Sequence, residues 1–194
     1  MGVAVPQVLK DEIRERLIVA AEEVFYNKGF MNARLADIAC EAEVSTSLVY
    51  SYFKNKEDLF AATVQMIPLD FDKIALEEER ITEGTALDRY KKVAAPYVQW
   101  LLDNHRAFVI VMDKSHGTDY VDSKLKMISS VEKHIDRSFQ QRRGDVYPDL
   151  LPHVLASNFV EGLLEVARHY ESPEQARQLL ELIVRCYYEG VNSL

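Results

Sequence analysis

The sequence predicts an all-α protein, with a small N-terminal head of short helices followed by a larger helical bundle. The 194 residues include only seven Gly and six Pro, too few for the many tight turns of a β-sandwich or β-barrel. Apolar residues recur at spacings of three and four, and no segment alternates convincingly with period two. Gly and Pro mostly fall between these periodic segments and divide the chain into pieces of helix length.

The N-terminal part of the chain contains four amphipathic segments. Gly29 follows the first segment as a C-terminal stop, since glycine readily adopts the left-handed conformation that ends helices. Ser45 and Asn55 precede the third and fourth segments as N-caps, because their side-chain oxygens accept hydrogen bonds from free backbone N–H groups. The four predicted helices span 11–28, 35–42, 45–53 and 56 to about 66.

The later segments are longer and predict a bundle. Pro96 interrupts the segment that ends in Trp100, so we expect a kink there. The change from short to long helices predicts a head of residues 1–59 and a bundle of residues 60–194, with the boundary near Phe60. The predicted bundle helices span 69–80, 85–104, 106–115, 120–143, 148–170 and 173–191.

Composition and charge exclude several classes of protein. With 48% hydrophobic residues the chain is not disordered, and 23 basic against 31 acidic residues give a net charge of −8. This acidity argues against a general polycationic grip on nucleic acid or membranes, so any DNA contact is expected to be local. No stretch approaches the roughly 20 apolar residues of a membrane span, and the N-terminus lacks a basic start followed by an apolar run. We therefore expect a soluble, cytoplasmic protein.

The two cysteines are expected to be structural. Cys40 and Cys186 lie far apart among apolar helical neighbours, a setting that favours small buried thiols over a disulfide or a metal site. We expect no metal and no cofactor.

Residues 35–53 have the spacing of a helix-turn-helix. Two short helices are separated by a turn of three to four residues, with Ala39 at the close approach and Val44 closing the turn. Between Ser45 and Lys56 there is no acidic residue, and hydroxyl side chains are frequent. Lys56 lies in the first turn of a helix, where a cation opposes the macrodipole unless a phosphate is shared there. A solvated helix face is the alternative, because short helical hairpins are common.

The N-terminal segment resembles the helix-turn-helix domain of TetR/AcrR-family transcriptional regulators. The resemblance covers about 45 residues and implies an all-helical homodimer, usually a repressor, that binds a palindromic operator and releases it when a small ligand occupies the C-terminal domain. The residues that carry it are Phe25, Gly29-Phe30, Asp37-Ile38-Ala39, Val44-Ser45, Leu48-Val49-Tyr50, Tyr52-Phe53, Lys54-Asn55-Lys56 and Leu59.

The resemblance also implies which residues contact double-stranded operator DNA. Four positions depart from the family pattern: Glu43 replaces a glycine, Ala33 and Arg34 replace Thr or Ser, and Ser47 replaces Gly or Ala. Glu43 either occupies a left-handed turn position or changes the turn. Asn32 is a replacement cap for the second helix, and Arg34 a replacement phosphate contact. Val49 and Phe53 are expected in the core, whereas the expected DNA contacts are Arg34, Ser45, Thr46, Ser47, Leu48, Tyr50, Ser51, Tyr52, Lys54 and Lys56.

The bundle is expected to bind a small apolar or aromatic effector. Large adaptable side chains are frequent between Met66 and Met127, and a cavity lined by them suits an apolar or planar molecule. Aromatic residues at helical spacing are otherwise ordinary core. Trp100, near Pro96, is the first candidate, and the full set is Met66, Tyr97, Trp100, His105, Phe108, Met112, Tyr120 and Met127.

The last two helices are expected to form a homodimer interface. Both are apolar over more than one face, and such width requires a second burying surface, which the same helices of another subunit provide. Gly162 lies in mid-helix at a cost of about 1 kcal/mol relative to Ala, which close approach across the dyad would justify. The expected interface residues are Leu155, Phe159, Gly162, Val166, Leu179, Ile183 and Tyr187.

Enzyme activity is not expected. The sequence has no Gly-rich phosphate loop, no nucleophile elbow and no pair of His at i, i+4. The alternative to a regulator is a helical small-molecule-binding or protein-interaction module that has lost operator binding, a hypothesis motivated by Glu43 and by the acidic head.

Overall fold

A computed structural model of the chain describes residues 7–140 and 147–193. These residues form eleven α-helices and no β-strand, so the all-α prediction is confirmed. The predictions for the first six residues and for the end of the 120–143 helix lie outside the described residues. The helices are α1 (Gln7–Asn32), α2 (Leu35–Glu41), α3 (Thr46–Tyr52), α4 (Lys56–Val64), α5 (Phe71–Glu79), α6 (Ala86–Lys92), α7 (Ala94–Asp103), α8 (His105–Asp113), α9 (Ser123–Gln140), α10 (Leu151–Arg168) and α11 (Pro173–Ser193).

The predicted helix 85–104 is wrong in one respect, because it consists of two helices. The chain breaks at Val93, which ends α6 and precedes α7, so there is no kink at Pro96 inside one long helix. Pro96 lies in the first turn of α7, where backbone N–H groups have no partner within the helix and proline is tolerated.

Two compact units make up the fold. The first contains the residues up to Met66 together with Val109–Val121, and the second contains Ile67–Phe108 and the residues from Asp122 onward. In the first unit, the Phe60 ring is fully buried. Its centroid lies 5.1 Å from that of Phe25, 5.3 Å from that of Phe30 and 5.7 Å from that of Tyr120. Segment 109–121 therefore shares the aromatic core of the N-terminal helices.

The second unit is a bundle in which α9 packs against both α5 and α10. Helix α11 packs against α10, α6 and α7. One apolar cluster joins α9, α10 and α11 through Ile135, Phe139, Ala156 and Val191. Among the described helices, none has the length and apolar character to cross a lipid bilayer.

The expectation of buried cysteines is wrong. Both Cys40 and Cys186 are exposed free thiols. Cys40 lies near the end of α2, and Cys186 lies on the outer face of α11, so the apolar neighbours in sequence belong to the buried faces of the same helices.

Candidate DNA interface and ligand cavity

The turn between α2 and α3 is short and closely hydrogen-bonded. Val44 N–H donates to the Ala39 carbonyl at 2.9 Å, and Ala42 N–H donates to the Ile38 carbonyl at 2.9 Å. Ala39 and Ala42 are 2% and 1% exposed, and these small side chains allow the two helices to pack closely. The predicted helix-turn-helix is present at the predicted place.

Glu43 adopts the left-handed conformation in this turn, with φ of 54°. It is the one non-glycine residue with positive φ among the described residues. This backbone conformation costs an L-residue roughly 1–2 kcal/mol, a cost that glycine does not have. Of the two alternatives that the sequence left open, the strained turn position is the correct one.

Helix α3 is anchored by its apolar side and exposes its polar side. The Ser45 hydroxyl caps the helix by accepting from Leu48 N–H at 3.3 Å, as predicted. Val49 is fully buried and Phe53 is 4% exposed, whereas Tyr50 is 58% exposed. Of the expected DNA contacts, Arg34, Ser45, Ser47, Tyr50, Ser51 and Lys54 are exposed, and Thr46, Leu48, Tyr52 and Lys56 are half-buried.

Lys56 has protein partners that the sequence reasoning missed. Its ammonium donates to the carbonyl oxygens of Phe30 at 2.7 Å and Ala33 at 3.0 Å. It also lies 4.1 Å from the centroid of the Phe30 ring. Both carbonyls follow Gly29, whose φ of 69° and ψ of 163° interrupt the regular helix as its place in the sequence predicted, and carbonyls beyond a helix end need other donors. The unfavourable position of Lys56 in α4 is therefore offset within the protein, without a phosphate.

The start of α2 also differs from expectation. Asn32 does not cap the helix; its side-chain amide donates to the Lys28 carbonyl at 3.2 Å. Instead, the Asp37 carboxylate accepts from Arg34 N–H at 3.2 Å and pairs with Lys28 at 3.0 Å. The hydrogen bond from Lys28, with that from the Arg34 backbone, lowers the pKa of Asp37.

A cavity lies within the second unit. Its volume is about 80 Å³, enough for water but below the roughly 300–1,000 Å³ of typical ligand pockets. A larger ligand therefore requires the lining helices to move apart. The lining residues belong to α5, α6, α7, α9, α10 and α11, together with Pro68 just before α5. They include Tyr97 and Met127, two of the residues expected to contact an effector.

The other expected ligand contacts do not line this cavity. Met112 and Tyr120 belong to the first unit, where Met112 is buried in the core and Tyr120 packs on Phe60. His105 stacks on Tyr170 with ring centroids 3.9 Å apart. Trp100 is 49% exposed and Met66 is 43% exposed, whereas Phe108 is fully buried.

Glu78 is the cavity residue that sequence reasoning missed. It is 3% exposed and accepts from the Tyr188 hydroxyl at 3.3 Å. The sequence contained a signal for it: Phe71, Ile74 and Glu78 follow the spacing of one helix face, so the carboxylate belongs to the apolar stripe of α5.

His134 stands between Glu78 and Glu79. Its Nε2 lies 3.6 Å from Glu78, and its Nδ1 lies 2.8 Å from Glu79, which also binds Arg137 at 2.7 Å. Burial by itself lowers the pKa of His134, but the hydrogen bonds and charges of the two glutamates outweigh burial and raise that pKa above its ordinary value. The folded protein therefore keeps the proton on His134 to a higher pH than an ordinary histidine would.

Several expected interface residues pack inside their own protomer. Phe159 and Tyr187 line the cavity, and Val166 is 3% exposed. A Cβ on Gly162 would lie 3.5 Å from Ile183 Cγ2 of the same chain, so the glycine lies where α10 meets α11. The outer surface of these helices still carries exposed Val154, Leu179 and Leu182, at 43%, 38% and 50% exposure, beside half-buried Leu155.

Comparison with known proteins agrees with the helix-turn-helix geometry. Residues 17–63 match the family described as "Bacterial regulatory proteins, tetR family". The chain is 24% identical over 122 residues to the HTH-type transcriptional repressor BepR of Brucella suis, a match that spans 63% of this chain and 58% of BepR. It is 34% identical over 116 residues to the HTH-type transcriptional regulator TtgR of Pseudomonas putida, spanning 60% of this chain and 55% of TtgR. The matches thus span a little over half the length of these relatives.

Solved structures show the same fold along most of the chain. A TetR-family regulator from Streptomyces coelicolor superposes with a TM-score of 0.70 at 20% identity, covering 90% of each chain. The repressor NalD of Pseudomonas aeruginosa superposes with a TM-score of 0.55 at 23% identity, covering 90% of this chain and 96% of NalD. By name, these relatives are regulators or repressors of transcription. The chain therefore resembles the tetR family of bacterial regulatory proteins over residues 17–63 and shares the fold of these solved structures along most of its length.

Proposed function

We propose that this regulator is a ligand-responsive repressor that binds a palindromic operator as a homodimer. The observation that carries the proposal is the arrangement of α3, whose buried Val49 and Phe53 leave Tyr50 and the neighbouring hydroxyl groups exposed. Helices of this kind enter the major groove, where side chains reach base edges. No acidic residue interrupts the segment from Ser45 to Lys56, so the overall negative charge does not oppose DNA at this surface.

The effector site is the cavity lined by Tyr97, Met127 and Glu78, one of several cavities in the second unit. It is lined mostly by apolar and aromatic side chains, which suits a small apolar or aromatic molecule. Because the empty cavity is small, a bound effector shifts the lining helices. Release of DNA then requires only that the effector binds more tightly to a conformation whose two α3 helices no longer match the operator.

Dimerisation is assigned to the outer surface of α10 and α11. Exposed Val154 on α10 and Leu179 and Leu182 on α11 are apolar side chains that the same helices of a two-fold related copy would cover. In the resulting dimer the two α3 helices read half-sites separated by about one turn of DNA, on the order of 34–36 Å, or a modest extension of it.

The N-terminal and C-terminal parts of the chain have different functions in this proposal. Residues 1–59 carry DNA binding, and residues 60–194 carry effector binding and dimerisation, in a cytoplasmic protein without a resident cofactor. Segment 109–121, which shares the core of the first unit, is the part of the later sequence that belongs structurally with the DNA-binding helices.

One alternative has a specific observation in its favour. Glu43 places a carboxylate in the strained turn just before α3, where it opposes a nearby phosphate, so a module that has lost operator binding is the second candidate. The two candidate functions are distinguished by measuring how much duplex DNA the purified chain and the Tyr50→Ala variant retain. The repressor retains DNA and loses it on Tyr50→Ala, whereas the alternative predicts no difference.

A further inference from the structure

We propose that the effector of this cavity is an organic cation, in which a protonated amine lies against Glu78 and an apolar body lies among the aromatic side chains. The inference rests on the effector site proposed above and names the chemical class that the site selects. Three features carry it: a buried carboxylate with weak partners, an aromatic lining, and a buried hydroxyl without a partner.

Glu78 is a buried carboxyl group whose partners among the described residues lie at long distances. The carboxylate is 3% exposed, and the Tyr188 hydroxyl donates to it over long distances of 3.3 and 3.4 Å. His134 is the cation within 4 Å of it in the described part of the chain, and its Nε2 is 3.6 Å away. The shorter contacts of His134 and Arg137 go to Glu79, at 2.8 and 2.7 Å. A buried carboxylate in this state gains more from an additional cation than an exposed one.

The cavity wall around Glu78 is aromatic. The Tyr90 and Tyr188 ring centroids lie 5.1 Å apart, and those of Phe159 and Tyr187 lie 4.4 Å apart. Aromatic faces attract ammonium groups, and the attraction grows when water is excluded. The aromatic residues of the wall are Phe71, Tyr90, Tyr97, Phe159, Tyr187 and Tyr188.

Tyr90 adds a polar atom without a partner. Its side chain lines the cavity and is 4% exposed, and its hydroxyl makes no hydrogen bond to any of the described residues. Burial and the charge of Glu78 raise the pKa of Tyr90, so the phenol stays neutral. A neutral phenol oxygen accepts a hydrogen bond from an N–H group, which a protonated amine supplies and a hydrocarbon does not.

The sign of the charge separates the possible ligands. A carboxylate head brings a second negative charge beside Glu78 and is repelled. A ligand with a neutral polar group displaces water from Glu78 without adding a cation, so the carboxyl group keeps only its distant partners. An ammonium head pairs with the carboxylate in a site of low dielectric, where such a pair is strongest.

Three probes that share one carbon skeleton test the inference on the full chain: phenylpropylamine, phenylpropanol and phenylpropanoate. Binding is measured by titration calorimetry for the unmodified chain and for Glu78→Gln. We expect the amine to bind at least about tenfold more tightly than the alcohol, and Glu78→Gln to remove this preference while changing alcohol binding less than about twofold. Glu77→Gln is the matched control, because Glu77 lies on the same helix but does not line the cavity.

A second variant protects the test against loss of folding in Glu78→Gln. Tyr90→Phe removes only the unpartnered hydroxyl and is expected to weaken amine binding about threefold or more, with little effect on the alcohol. Equal binding of the three probes, tightest binding of the carboxylate, or binding of none overturns the inference. The proposed repressor is judged separately, by retention of DNA on the ligand-free chain, so either proposal can fail without the other.

Discussion

The ammonium of Lys56 lies 2.7 Å from the carbonyl oxygen of Phe30 and 4.1 Å from the centroid of the Phe30 ring. The contact joins the start of α4 to the end of α1 and satisfies a carbonyl that the helix leaves without a partner. These contacts give Lys56 a role in holding α4 to the end of α1, and its contact with phosphate stays a prediction.

Removal of the Lys56 ammonium should destabilise the first unit. Lys56→Met keeps the aliphatic chain over the Phe30 ring but loses both hydrogen bonds, so the free energy of unfolding should fall by about 1.5–3 kcal/mol in urea titrations. Lys54→Ala is the control: it is exposed and should change stability by less than about 0.5 kcal/mol. Equal stability of the two variants would show that the contacts to α1 contribute nothing.

Lys54 should contribute to the salt dependence of DNA binding. If exposed Lys54 contacts phosphate, Lys54→Ala lowers the slope of log affinity against log salt concentration by about one, to a similar extent for all sequences. The measurement is fluorescence anisotropy of labelled duplex DNA across a salt series. An unchanged slope would remove Lys54 from the interface.

Replacement of Glu43 by glycine should stabilise the protein. The left-handed backbone at φ 54° costs an L-residue about 1–2 kcal/mol, and glycine removes this strain. Because glycine also gives the unfolded chain more conformational entropy, part of the gain is lost, and we expect the free energy of unfolding to rise by about 0.5–1 kcal/mol. Glu43→Gln removes the charge and keeps the backbone strain, so it should leave stability unchanged. A gain as large for Gln as for Gly would assign the effect to charge.

The outer surface of α10 and α11 should hold the dimer together. Leu182→Glu places a charge on an apolar residue that is 50% exposed and should give monomers in sedimentation velocity. Leu76→Glu, at a leucine on α5 that is 48% exposed, should leave the dimer intact. Gly162→Ala should also leave it intact, because the new Cβ makes an ordinary contact with Ile183. Monomers from Gly162→Ala alone would mean that a partner helix approaches at that glycine.

His134 should make stability depend on pH. Because its pKa is raised in the folded protein, its contribution is fully present below the ordinary pKa near 6.5 and is lost as the pH rises through the folded value. The facing charged groups are Glu78 and Glu79 on α5 and Arg137 on its own helix. Urea unfolding across this range should show a decline that His134→Gln removes. The same decline in the variant would assign it to another group.

The head could be predicted from sequence because local rules determine it. The caps at Ser45 and Asn55, the buried Val49 and Phe53 and the turn around Glu43 all depend on neighbours within a few residues. Break positions were less predictable: proline at 96 is compatible with a kink or with a first turn, and the break at Val93 depends on packing.

The cavity was harder to predict because it depends on contacts between distant helices. Tyr97 and Met127, which were expected to contact an effector, line it, and so do Phe159 and Tyr187, which were expected at a dimer surface. Apolar width alone does not tell a cavity wall from an interface, since both bury the same side chains. Met112 and Tyr120 lie in the first unit because segment 109–121 returns to the N-terminal core, a long-range contact without a local signature.

Selection of DNA by the purified chain tests whether the protein recognises a palindromic operator through α3. Random duplex fragments retained by the protein are sequenced and compared with those retained by Tyr50→Ala and by the control Val19→Ala, which alters an exposed residue of α1. We expect an enriched palindrome with half-sites about one helical turn apart, on the order of 34–36 Å or slightly more, present for Val19→Ala and absent for Tyr50→Ala. No enrichment by the unmodified chain, or the same palindrome with Tyr50→Ala, would contradict it.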